Sequence, residues 1–432
     1  MTASRVTCFL TSMVAGLAIL PPAAGARLTD EDTAKKREGW YVTALPIANY
    51  TEDTGYGYGS RIYLHDNGSR GDPRFAETPY LAEYYVQYFA TTRGWQYHGI
   101  GANLPRIGGT PYRLQFKAHY DRNINRNYLG ADARSLARLP GGTFTNNELE
   151  LDAQEPAGAG STNGWYNKCI LTRPNAILQG EREWLGMVKT MLGVYFQKTS
   201  VRAYDAKMVP VSGTERPQGP TRLTLDDPRG ITGGWVNLLR AGVAWDTRDY
   251  EPAPRKGWFA DVTGEFCSPA LGSDYRFSRE TVTVRKYQPV WGPLLAAARL
   301  SVSDVQGNPP FFETSTFAFM DIRKGGLGGI WTLRGYCDNR FTGNTVSLAN
   351  LEIRANILEI TPYSGQTLLF TPVLFADCGR VYDRLRDLGL SHWKESYGAS
   401  LRIAWNQATI LNLTLGASAE DVNFFVDVGH TF

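Results

Sequence analysis

Residues 397–406 read Tyr-Gly-Ala-Ser-Leu-Arg-Ile-Ala-Trp-Asn, and one division runs through all of them. Tyr397, Ala399, Leu401, Ile403 and Trp405 share one face of an extended chain, and Gly398, Ser400, Arg402, Ala404 and Asn406 share the other. Side chains alternate across a strand with period two, so this pattern predicts a strand with one apolar face. Working outward, 346–357 sets Ala349, Leu351, Ile353 and Ile357 against Asn350, Glu352, Arg354 and Asn356. In 410–418, Leu411, Leu413 and Leu415 oppose Asn412, Thr414 and Ser418. In 54–64, Tyr56, Tyr58, Ile62 and Leu64 oppose Gly55, Gly57, Gly59 and Arg61.

Period two does not name the solvent. A soluble sandwich turns its apolar face inward. A membrane barrel turns that face to lipid and lines a wet lumen with Gly, Arg, Asn and Glu. Strands of about ten residues suit a tilted membrane crossing, and aromatic residues gather near the strand ends as in interfacial girdles. The chain has 432 residues, with 23 Tyr, 19 Phe and 11 Trp, too aromatic for disorder. Its net charge of +3 gives no field that would recruit nucleic acid. Beyond residue 26 no apolar run reaches the roughly 18 residues of a membrane helix.

Export is written at the start. Residues 1–26 carry Arg5, an apolar stretch from Cys8 to Leu20, then Pro21, Pro22 and Ala24-Gly25-Ala26, the parts of a signal peptide. Four cysteines follow it, Cys169, Cys267, Cys337 and Cys378, widely spaced and without a zinc pattern. One disulfide among them suits an oxidising compartment, with its pairing undetermined.

Sixteen strands are predicted, near 39–50, 54–66, 79–92, 95–105, 111–122, 166–182, 185–204, 234–247, 257–268, 275–289, 293–305, 346–360, 366–380, 396–406, 409–418 and 423–432. An even count with both ends in the periplasm is the pattern of a bacterial outer-membrane barrel. The long connections 123–165, 205–233, 306–345 and 381–395 follow odd-numbered strands and face outward, and most turns after even-numbered strands are short. The expected organisation is a signal peptide (1–26), a short periplasmic lead-in (27–38) and an antiparallel transmembrane barrel (39–432).

Four motifs carry a resemblance. Residues 238–250 read LLRAGVAWDTRDY and are followed by a turn closing on Gly257. Residues 328–341 read GGIWTLRGYCDNRF, residues 375–382 read FADCGRVY, and 428–432 read VGHTF. In order and on predicted strands, they resemble the bacterial surface antigen superfamily, the barrels of BamA and TamA. The second motif resembles that superfamily's sixth external loop and the last its terminal aromatic signal. The resemblance implies that the long loop folds into the lumen, with Arg334, Gly335 and Tyr336 at its tip. It also implies that Arg334 meets Glu352 and Asp377 on the next two strands. An arginine shielded from bulk water needs such carboxylates.

Pro46 in the first strand cannot donate to a ladder, and Gly429 and Phe432 lie in the closing one. A weak seam between 39–50 and 423–432 would resemble the lateral gate of assembly barrels. Those barrels carry periplasmic POTRA domains, whereas 27–38 is too short for a folded domain of about 55–65 residues.

The five histidines are scattered, and no H-E-x-x-H or G-x-S-x-G occurs. The expectation is a non-enzymatic barrel with no cofactor and no metal, assisting assembly or translocation of proteins or lipids. Its expected partners are outer-membrane lipids and periplasmic or outer-membrane assembly proteins. A passive solute channel and a surface-exposed binding or antigen barrel are the alternatives.

Overall fold

The computed structural model describes residues 33–34, 36–51, 54–130, 164–211, 214–251, 253–363, 366–405, 409–420, 422–428 and 432. The signal peptide, most of the 27–38 segment and Gly429 lie outside the described residues. The strands are β1 (Trp40–Thr51), β2 (Gly55–Asp66), β3 (Ala82–Thr91), β4 (Gln96–Leu104), β5 (Tyr112–Asn127), β6 (Lys168–Trp184), β7 (Val188–Ala203) and β8 (Gly233–Asp246). They continue as β9 (Gly257–Cys267), β10 (Arg276–Trp291), β11 (Leu294–Asn308), β12 (Thr345–Ala355), β13 (Gln366–Tyr382), β14 (Lys394–Trp405), β15 (Thr409–Ser418) and β16 (Val422–Val428). Each pairs antiparallel with the next, and β1 meets β16. The fold is therefore a sixteen-stranded antiparallel barrel. The predicted strand 346–360 is interrupted after Ala355, and its continuation Leu358–Tyr363 pairs with β13 around an irregular register.

The barrel is inside out. On β10, Arg279, Thr281, Thr283 and Arg285 are buried while Val282 is exposed. On β7, Gln197 and Thr199 are buried while Leu192 and Phe196 are exposed. The five arginines Arg240, Arg279, Arg334, Arg340 and Arg402 stand among the largest fully buried side chains. A soluble sandwich would reverse this, because an unpaired buried charge is costly and an apolar face in water is unfavourable. A lipid-facing exterior around a polar, partnered lumen resolves both.

The apolar core is local. Phe317, Phe319, Leu327, Leu333, Tyr336 and Phe341 from the β11–β12 connection pack on Val346, Leu348 and Val381 of the wall. The long connection therefore carries its own small hydrophobic core into the lumen. At the opposite end the 67–81 connection is tied to the segment before β1. Lys36 Nζ donates to the Phe75 and Thr78 carbonyls at 2.7 and 2.8 Å. Arg70 and Asp72 serve the same region: Arg70 donates to the Ala34 carbonyl, and Asp72 caps the 3-10 turn Pro73–Ala76.

Candidate functional site

Arg334 arrives in the lumen on the tip of the β11–β12 loop. Its Nε and Nη2 donate to Asp377 at 2.8 and 2.6 Å, and its Nη1 donates to Glu352 at 2.6 Å. Its backbone N–H adds a bond to Asp377, and its guanidinium lies 3.6 Å from the Phe375 ring centroid. Alternation puts Glu352 and Asp377 on the inner faces of β12 and β13. Asn350 bridges the two elements, donating to Asp377 at 2.7 Å and to the Thr332 carbonyl at 2.8 Å.

Glu352 holds more than the loop. Arg402 from β14 reaches its two oxygens at 2.8 and 2.9 Å, and Arg354 Nε reaches Oε2 at 2.8 Å. Three arginines thus converge on one fully buried carboxylate. Bidentate, charge-assisted bonds of this kind fix orientation as well as adding energy.

The loop tip also touches the wall through bare backbone. A methyl group on Gly416 would strike the Arg334 carbonyl, and one on Gly335 would strike the Ala417 backbone. Gly264 on β9 faces open space. Gly416→Ala is therefore expected to lift the tip and cost about 1–3 kcal/mol as overpacking, with Gly264→Ala nearly silent. Thermal unfolding followed as heat-modifiable gel migration checks the pair.

A second cluster clamps the first limb of the loop. Glu265 on β9 accepts from Arg240 Nε at 2.9 Å, Arg279 Nη1 at 2.6 Å and Arg323 Nε at 2.7 Å. Glu313 accepts from Arg323 at 2.8 Å. No sequence motif singles out this cluster. The inward parity of Glu265 and Arg279 on neighbouring strands was the available signal.

The other expected residues fall into place individually. Tyr336 is buried and packs edge-on to Phe341, with ring centroids 5.1 Å apart. No disulfide joins any two of Cys169, Cys267, Cys337 and Cys378. Phe432 is buried within the lumen, against Tyr287 and Ala297, and its carbonyl accepts from Arg354. A cavity of about 270 Å³ lies beside it, lined by Tyr85, Arg113, Lys117, Arg285 and Trp331 among others.

The seam is short. β1 and β2 run in register from Trp40↔Asp66 to Thr51↔Gly55, whereas β1 joins β16 through Tyr50↔Phe424 alone among the described residues. Pro46 sits exposed within the regular β1–β2 ladder. A ladder this regular tolerates proline where its nitrogen faces the other edge, toward β16.

Residues 233–424, which span β8 into β16 and hold both clamps, match the Omp85 superfamily domain. The second half of the barrel therefore carries an Omp85 superfamily domain. Residues 23–81 match a domain of unknown function, DUF5982. The barrel is similar to BamA from Haemophilus ducreyi lacking POTRA domains 1–3, with TM-score 0.51 and 12% identity over 91% of this chain and 70% of that one. It is also similar to CdiB from Escherichia coli, with TM-score 0.52 and 10% identity over 91% of this chain and 62% of that one. These likenesses are of fold. No curated protein sequence matches.

Proposed function

We propose that this barrel assists the assembly or translocation of proteins or lipids at the outer membrane without covalent chemistry. In this reading the β1–β16 seam is the working edge, and Arg334, Glu352 and Asp377 keep the loop seated in the lumen. Residues 1–26 direct export, 27–38 lead in from the periplasm, and 39–432 form the working barrel. Periplasmic or outer-membrane assembly proteins deliver the cargo. Omp85 barrels serve outer-membrane protein assembly or secretion, which supports the class.

The observation that carries the reading is a seam that shows a single pair among the described residues, in a barrel whose other junctions are extended ladders. Unpaired strand edges are templates for another strand, and a barrel built only to conduct solutes gains nothing from one. The test is a Tyr50→Cys/Phe424→Cys pair in a background lacking the four native cysteines. Oxidised, it should reproduce the outer-membrane protein and lipid profile of cells without the protein, and reductant should restore the profile. A locked barrel that works normally would sink the seam's role.

A second measurement separates the passive-channel alternative. In planar bilayers the wild type should show low, flickering conductance, and Arg334→Ala should raise it by freeing the loop. A large, steady conductance indifferent to Arg334 would make the protein a channel on an assembly-type scaffold.

A further inference from the structure

The outward face of β5–β7 carries charges where a lipid-facing surface should carry few. Arg122 pairs across the ladder with Thr172, Thr172 with Ser200, and Ile170 with Arg202. Lys198 lies opposite Trp235 of β8, its Nζ 5.2 Å from the ring centroid. Lys198, Ser200 and Arg202 are exposed, and their neighbours Gln197, Thr199 and Val201 point into the lumen and are buried. Arg122 shares the parity of exposed Tyr120. Three cations and two hydroxyls thus occupy one outward patch. No Asp or Glu takes an outward position on these three strands.

The patch has a definite depth. It lies at the strand ends that feed the long connections between β5 and β6 and between β7 and β8, away from the tight β6–β7 turn at 185–187. In outer-membrane barrels the long loops are external and the short turns periplasmic. Tyr120 and Trp235 bracket the patch as members of the outer aromatic girdle, which sits at headgroup level. Charges on a lipid-facing surface are tolerated there and costly nearer the midplane. By contrast, Arg182 and Lys286 at the periplasmic end each lie over an indole ring, of Trp184 and Trp258, one cation at a time. Among the described residues, Arg122, Lys198 and Arg202 form no ion pair.

We infer that Arg122, Lys198 and Arg202, with the Thr172 and Ser200 hydroxyls, form a docking surface for the phosphorylated sugar headgroup of an outer-leaflet glycolipid. Charge complementarity selects the anion, and depth selects the leaflet. Cations on a barrel wall attract anionic headgroups by roughly fivefold in affinity per Lys or Arg. The neighbouring hydroxyls suit a headgroup that offers hydroxyls and phosphate together. Lysine and arginine supply the donors that phosphate oxygens accept.

The test measures lipid retained by the full-length barrel, extracted from outer membranes in mild detergent and washed, using native mass spectrometry. Bisphosphorylated lipid A, dephosphorylated lipid A and phosphatidylglycerol are then offered as probes. The wild type should retain bisphosphorylated lipid A, and Arg122→Gln/Lys198→Gln/Arg202→Gln should lose it by on the order of a hundredfold. Dephosphorylated lipid A and phosphatidylglycerol should be held weakly by both. Equal retention of bisphosphorylated lipid A by wild type and triple variant would overturn the site. Wild-type retention of phosphatidylglycerol equal to that of lipid A would overturn the glycolipid assignment. Heat-modifiable migration verifies that the variant folds, and the charge-keeping variant Arg122→Lys/Lys198→Arg/Arg202→Lys should keep most of the retention.

Discussion

Replacing Glu352 by Gln should unseat the loop while leaving the barrel wall standing. The carboxylate is fully buried and faces Arg334, Arg354 and Arg402 at 2.6–2.9 Å. Removing its charge leaves three arginines with Asp377 as the remaining carboxylate of the clamp. Breaking a buried pair by deleting one partner costs about 3–5 kcal/mol, because the surviving charge stays shielded and unpaired. Lumenal water softens that figure, so the lower end is expected. The loss should appear as a lower midpoint of heat-modifiable unfolding and as loop cleavage by external protease. Asp377→Asn removes the acceptor of three Arg334 donors and leaves Arg354 and Arg402 paired, so its cost should be the smaller of the two. An effect of Glu352→Gln below about 0.5 kcal/mol, within the range of an exposed pair, would mean that the clamp is solvated.

Much of this was legible in the sequence because a barrel writes its register into every strand. Glu352 and Arg402 had to share the polar side of their strands once Leu351 and Leu401 faced lipid, and a one-residue slip would have reversed both. The sixteen-strand count and the outward position of Tyr56 and Tyr58 follow from the same alternation, whereas the inward loop follows only from the resemblance of residues 328–341. What alternation does not carry is distance around the barrel or the path of an irregular loop. That Arg354 and Arg402 crowd onto the same carboxylate as Arg334 depends on the stagger of β12, β13 and β14. That Arg323 drops onto Glu265 depends on a turn within the loop between Ala318 and Arg323. Phe432 reads as a terminal aromatic signal without a direction, and the chain brings it inside against Tyr287. The seam was legible only as a proline and a glycine, and the single Tyr50↔Phe424 pair among the described residues emerges from pairing rather than composition.

Glu265→Gln is the second large effect, and it tests whether the loop docks as one body. Glu265 accepts from Arg240, Arg279 and Arg323 while fully buried, so the buried-pair argument again gives about 3–5 kcal/mol before allowance for lumenal water. Glu313 can hold Arg323 and Arg279 in part, through contacts at 2.8 and 3.3 Å. Arg240 keeps only neutral acceptors, the Gln179 side chain at 3.0 Å and the Phe319 carbonyl at 3.0 Å. The two clamps lie on different walls, β8–β10 for one and β12–β14 for the other. The apolar cluster joining Phe317 and Phe319 to Leu333 and Phe341 lies between them. Because close-packed interiors transmit displacement, freeing one limb should loosen the other. The double variant Glu265→Gln/Glu352→Gln should therefore lose less than the sum of the single losses, with a coupling of about 0.5–3 kcal/mol. Strict additivity in the unfolding midpoints would show two independent anchors. In that case the limb at Arg323 can move while the Arg334 tip stays seated, and the lumen can open in part without release of the whole loop.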